Sequence, residues 1–169
     1  MDPTKLNDQL TQHRRTVDFD TFDVVIQQLL TMIDGGDIDI APEYQRKFRW
    51  DDTKCSQLIE SFFLGIPVPS LFMATNEDGS WELVDGVQRT SALVKFAAGD
   101  TLRDKLGLDG ALRLSNLEKL TEFNGLTFNE LPKTLQRQFE LRPVKVVTLN
   151  DKSDEIVRYD LFERLNRGG

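Results

Sequence analysis

Apolar positions along the chain change period several times, and each change marks a predicted element. From Thr21, the residues Phe22, Val25, Ile26, Leu29, Leu30 and Ile33 recur at helical spacing, and Gly35-Gly36 closes the segment. This pattern predicts a first helix. The run "DIDIAP" alternates polar and apolar residues and stops at Pro42, as a short strand does. Asp51 or Asp52 is placed to cap a second helix, which carries Leu58, Ile59, Phe62 and Phe63 inward and stops at Gly65. Two prolines make "IPVPS" non-helical. "LFMAT", "NEDG" and "SWELV" then give strand, turn and strand, a hairpin. A third helix is expected from about Gln88 to Ala98, ending at Gly99.

Beyond this helix the pattern is less regular. "ALRLSNLEKLTEFNGLTF" predicts one or two short strands with turns. "NELPKTLQRQF" predicts a helix with Asn129 or its neighbour as cap and Pro132 in the first turn. "LRPVKVVTL" predicts a strand that begins properly after Pro143. "SDEIVRYDLFERLNRGG" predicts a capped amphipathic helix burying Ile156, Tyr159, Leu161, Phe162 and Leu165. Residues 1–20 show no strong period and are expected to form a loose lead-in. No repeat, low-complexity run or linker divides residues 21–169, so one α+β domain is expected there. Gly168-Gly169 would ordinarily cap a helix that leads into more chain, so this domain is expected to be part of a longer protein.

Composition narrows the classes of function. The 169 residues are 39% hydrophobic and 29% charged, which fits a single folded core. The net charge of −7 speaks against a domain that coats DNA, because phosphate neutralisation supplies most non-specific affinity. A local basic cleft stays open. Cys55 is the sole cysteine and His13 the sole histidine, which argues against disulfides, zinc sites and histidine-dependent triads. No signal-like or membrane-spanning apolar run is present, so a reducing cytoplasm is the expected setting.

Three clusters carry candidate chemistry. In "ELVDGVQRTSALVKF", Asp85, Gly86, Gln88 and Arg89 lie where a strand runs into a helix. Two readings are open. Asp85 and Gly86 can be a cap and a turn, with Gln88 and Arg89 a solvated first turn. Alternatively, the backbone N–H groups of Gly86, Val87 and Gln88 form an anion site at the positive end of the helix dipole. There Arg89 would grip phosphate oxygens, and Asp85 would bind Mg²⁺ or position a water. The second cluster, "YQRKFRW", interleaves Tyr44, Phe48 and Trp50 with Gln45, Arg46, Lys47 and Arg49. It suits phosphate contact with base stacking, or a loop whose aromatics plug the core. The third, "FERLNRGG", gathers Arg164, Asn166 and Arg167 near a helix C-terminus, where cations are favoured in any case.

Taken in order, "PEYQRKFRW", "LIESFFLGIPVP", "LVDGVQRTSAL", "FNGLTFNELP" and "LFERLNRGG" resemble the DGQQR-type domain. This ParB/sulfiredoxin-like domain stands at the N-terminus of GmrSD-type, modification-dependent restriction and phage-defence proteins. The resemblance runs from about Phe22 to Gly169. It implies a ParB-like α+β core, a small mixed sheet with a hairpin packed by helices, and a nuclease domain or partner protein outside this chain. Position by position, the signature falls on Asp85, Gly86, Gln88 and Arg89, the second block on Tyr44, Gln45 and Arg46, and the last on Arg164, Asn166 and Gly168. Where the family usually has a glutamine, this chain has Val87.

The expected function is therefore a nucleotide-binding, NTP-hydrolysing regulatory domain of a DNA-defence protein. Its catalytic residues would be Asp85, Gln88 and Arg89. Gly86, Val87, Tyr44, Gln45, Arg46, Arg49, Arg164, Asn166 and Gly168 would hold the nucleotide, and Asp85 a Mg²⁺ ion. The alternative is a non-catalytic ParB-like module that binds modified DNA or a partner protein. A third option, that the domain is itself a nuclease, lacks the dense carboxylate cluster that metal-dependent DNA cutting uses.

Overall fold

The computed structural model describes residues 1–14, 19–40, 50–150, 159–161 and 163–165. The strands β1 (Phe19–Val25), β2 (Ile38–Asp39), β3 (Leu71–Thr75), β4 (Trp81–Asp85) and β5 (Pro143–Leu149) form one mixed sheet in the order β1-β5-β3-β4-β2. The expected hairpin is present as β3 and β4, antiparallel, with a register break between Phe72 and Met73. β1 runs antiparallel to β5, whereas β5 is parallel to β3 and β2 parallel to β4. Along β5, Val144, Val146 and Thr148 are buried while Lys145 is exposed, the period of two that a half-covered sheet requires.

The helices are α1 (Pro3–His13), α2 (Ile26–Asp34), α3 (Asp52–Leu64), α4 (Val87–Ala97), α5 (Asp100–Lys105) and α6 (Lys133–Glu140). α3 starts and stops where its sequence says it should. The Asp51 carboxylate accepts from the Lys54 N–H at 2.8 Å, and Gly65 ends the helix in the left-handed conformation at φ 72°. α2, α3, α4 and α6 pack together, and their apolar faces join the sheet in one core. At its centre Phe139, fully buried, lies 5.1 Å from both Phe63 and Phe96, in tilted and edge-on geometries that suit aromatic quadrupoles. The architecture is α+β, as expected, and the small mixed sheet is compatible with a ParB-like core.

Several expectations are corrected. The helix predicted from Thr21 begins at Ile26, because Phe22 and Val25 belong to β1, opposite Val146 and Pro143. Non-local pairing outweighs a local helical spacing there. Residues 3–13 form a helix capped by the Asp2 carboxylate, with no buried residue, where the sequence shows no period. Residues 100–127 open with α5 and contain no strand. Leu112, Leu114 and Leu117 are nevertheless buried, so their near-alternation reports burial without a ladder. The backbone of this strap is satisfied partly within the strap, where the Leu114 N–H donates to the Leu126 carbonyl and the Gly125 N–H to the Leu114 carbonyl, and partly by α3. Ser56 Oγ accepts from the Ser115 N–H at 3.0 Å, and Glu60 Oε2 from the N–H groups of Lys119 and Leu120 at 3.1 and 2.9 Å.

At α6, Pro132 is the N-cap rather than a first-turn residue, and Asn129 lies in a preceding 3₁₀ turn, Phe128–Glu130. Pro143 is the first residue of β5, not excluded from it. Near the C-terminus, residues 159–161 and 163–165 are helical. There Tyr159 is exposed (63%) instead of buried, while Leu161 and Leu165 are half-buried. Ile156 and Phe162 lie outside the described residues. Among the described residues, no helix is long and apolar enough to cross a membrane.

Candidate functional site

Asp85 is the last residue of β4 and pairs with Phe72 across the hairpin, while Val87 is already the first residue of α4. Only Gly86 separates strand from helix. It serves as the N-cap at φ 101°, a backbone region that side-chain-bearing residues rarely adopt. Space also forbids a side chain at this position. A Cβ on Gly86 would run into the Leu71 side chain and come within 3.1 Å of Arg89 Nη2. The turn is therefore tight enough to bring the Asp85 carboxylate, the α4 N-terminus and Arg89 together. The expected cap is replaced: Gly86 holds this position, not Asp85, and no side chain caps α4.

Arg89 reaches back over the turn. Its Nη2 donates to the Ser70 carbonyl at 2.9 Å and to Asp85 Oδ2 at 3.4 Å, an i, i+4 ion pair whose side chains are 17% and 26% exposed. Arg89 Nε is buried and has no hydrogen-bond partner among the described residues. The guanidinium is thus partly desolvated and incompletely satisfied, which is costly for a cation. Gln88 turns the other way. Its Oε1 accepts the backbone N–H of Trp50 at 3.1 Å, joining the end of the "YQRKFRW" segment to the start of α4. Trp50, far from Gln88 in sequence, thus meets it at the helix terminus.

Val87 is 8% exposed and packs in the hydrophobic core, so this position presents only backbone to the outside. Tyr44, Gln45, Arg46, Arg49, Asn166 and Gly168 lie outside the described residues. Arg164 is exposed, and among the described residues no hydrogen bond or ion pair ties it to the junction. Sequence reasoning missed Ser70, whose carbonyl anchors Arg89. The hairpin register held the signal, because Phe72 opposite Asp85 sets Ser70 just past the end of β4.

Among the described residues, no three His, Cys, Asp or Glu side chains converge as a metal cage. Asp85 supplies a carboxylate beside the helix terminus. That suits Mg²⁺ carried in by phosphates, since Mg²⁺ commonly takes one or two carboxylates together with substrate oxygens.

Clefts flank this end of the sheet. One, of about 190 Å³, runs along α4 from Gln88 and reaches Trp50. A larger one, of about 470 Å³, lies between Gly65–Pro69 and the start of β5. Arg142 lines the larger cleft, but its Nη2 donates to the Phe63 carbonyl at 3.0 Å.

A family model described as the N-terminal domain of the GmrSD restriction endonuclease matches residues 26–169. A comparison with curated proteins finds no match.

Proposed function

The chain belongs to the family of GmrSD restriction endonuclease N-terminal domains, and from this premise we infer that it is the nucleotide-binding, NTP-hydrolysing regulatory domain of a DNA-defence protein. One observation carries the reading: the Trp50–Gln88 hydrogen bond, which ties Trp50, the last residue of "YQRKFRW", to the Asp85–Arg89 junction. At that junction a helix N-terminus, a guanidinium and a carboxylate meet across a one-residue glycine turn. Phosphoryl transfer asks mainly for positioning and charge stabilisation, and these groups supply both.

In this account the triphosphate lies against the N-terminus of α4, whose backbone N–H groups face negative charge. Arg89 exchanges its long contact with Asp85 for phosphate oxygens, which also compensates its unpartnered Nε. Asp85, so released, orients the attacking water. Mg²⁺, held jointly by Asp85 and the phosphates, would supply charge neutralisation. A nuclease domain or partner protein outside this chain would receive the signal.

Binding without turnover is the second reading. The Arg89–Asp85 ion pair favours it, because it holds both candidate catalytic side chains against each other. Incubation with each NTP and Mg²⁺, following phosphate release and melting temperature together, separates the two. Release with a thermal shift, both reduced in Arg89→Lys, supports hydrolysis. A shift without release supports binding only, and neither signal overturns the nucleotide account.

A further inference from the structure

The block "LIESFFLGIPVP" carries none of the candidate catalytic side chains, yet the residue that follows it, Ser70, holds Arg89 Nη2 through its carbonyl at 2.9 Å. The connection from Gly65 to Ser70 is fastened at both ends. Gly65 closes α3 in the left-handed conformation, and the Ile66 N–H donates to the Ser61 carbonyl at 2.9 Å. Leu71 opens β3 opposite Val146, and its side chain is the group that a Cβ on Gly86 would meet. Between these ends little packing holds the chain. Ile66, Pro67 and Pro69 are exposed, Val68 is half-buried, and the connection lines the larger cleft.

Stiffness in such a stretch has to come from the backbone itself. The rings of Pro67 and Pro69 fix φ at their own positions, and each restricts the residue before it. Residues 66–69 are therefore an unbroken run of constrained backbone. Exposed rings contribute little burial, so constraint is what the two prolines add. It is delivered to Ser70, whose carbonyl lies nearer to Arg89 Nη2 than Asp85 Oδ2 does, at 2.9 against 3.4 Å. A neutral carbonyl occupies one guanidinium N–H and leaves the positive charge for an anion. Asp85, by contrast, competes with an incoming anion for that charge.

We propose that Pro67 and Pro69 are positioning residues for Arg89. They hold the Ser70 carbonyl where it keeps its grip on Nη2 as the ion pair with Asp85 opens, so that the rest of the guanidinium faces the phosphates. The inference rests on the nucleotide reading given above. Neither proline touches the nucleotide; both act through Ser70. A misaimed Arg89 still attracts phosphate through its charge, but it meets the charge that develops in the transition state out of line. The loss therefore falls on kcat more than on KM.

Pro67→Ala and Pro69→Ala remove the constraint without opening a cavity, since both side chains are exposed. Pro132→Ala, at the exposed N-cap of α6, controls for the general loss of proline stiffness. Melting temperature, phosphate release from NTP with Mg²⁺, and the NMR signal of the Arg89 Nε–H group, assigned with Arg89→Lys, are compared with wild type. Burial of Nε slows its exchange with water and keeps that signal observable. Both loop variants should shift or broaden it and lower kcat by about tenfold, with KM changed less than about threefold. Pro132→Ala protein should match wild type in signal and in kcat, whatever its melting temperature. If Pro67→Ala and Pro69→Ala keep the wild-type signal and kcat, the positioning role is overturned and the nucleotide reading stands. A kcat lowered equally in all three variants overturns the role too, because the effect then follows stability. No release by wild type from any NTP overturns both.

Discussion

Gly86 shows how one residue fixes the chemistry available around it. Its φ of 101° and the Leu71 side chain beside it both exclude a Cβ. Gly86→Ala is expected to lower stability by about 1–3 kcal/mol, measured by denaturant unfolding, and to weaken nucleotide binding in whatever fraction stays folded. Val87 resolves the departure from the family signature in physical terms. The sequence leaves open whether a glutamine is missing from a site; the fold puts position 87 in the core. Val87→Gln would bury an amide without partners at a cost of about 1–3 kcal/mol. It should lower the melting temperature and give no gain in phosphate release. Cys55 behaves as a core residue whose thiol burial pushes up, an effect opposed by the nearby Lys95 ammonium and reinforced by Asp52 and Asp51. The native state then holds its proton where the unfolded chain has lost it. Stability from this group is complete below the unfolded thiol range and declines as pH rises through and beyond it. Cys55→Ala should flatten that alkaline decline in melting curves, even if it lowers stability at neutral pH.

Elements bounded by local chemistry are legible in the sequence, and elements bounded by distant partners are not. α3 runs from its Asp51 cap to Gly65 because both ends are made by residues next to it. The β3–β4 hairpin is equally local. β1 is not, because its identity depends on β5, more than a hundred residues later. The strap between α5 and α6 resists reading for a related reason, since its backbone bonds go partly to side chains of α3 and partly to its own turns rather than to a strand. Glu60 is the main clasp, holding two successive N–H groups. Glu60→Ala should cost about 1–3 kcal/mol. It should also raise hydrogen exchange at Lys119 and Leu120, while exchange in β3 and β5 stays slow. For the candidate site, Asp85, Gly86, Gln88 and Arg89 are visible as polar residues at a strand-to-helix junction. That Arg89 is anchored by Ser70, and Gln88 by the Trp50 backbone, becomes visible only once the hairpin and α3 are placed.

On the scale of the molecule, an acidic chain carries the Asp85–Arg89 junction at one end of the sheet, where β4 ends, α4 starts and Trp50 is tied to Gln88. A net charge of −7 disfavours general attraction to DNA, so any polyanion that binds must be drawn by the local site. The sheet fixes where β4 ends and α4 begins, and positioning is what such catalysis demands. The measurement that tests the central claim most directly is phosphate release from NTP and Mg²⁺ by Asp85→Ala protein against wild type, at matched folded fractions. The account predicts that wild type releases phosphate and that the variant loses at least about a hundredfold in rate, the lower range for removing a positioned acid–base group. Equal release by the two proteins would contradict it.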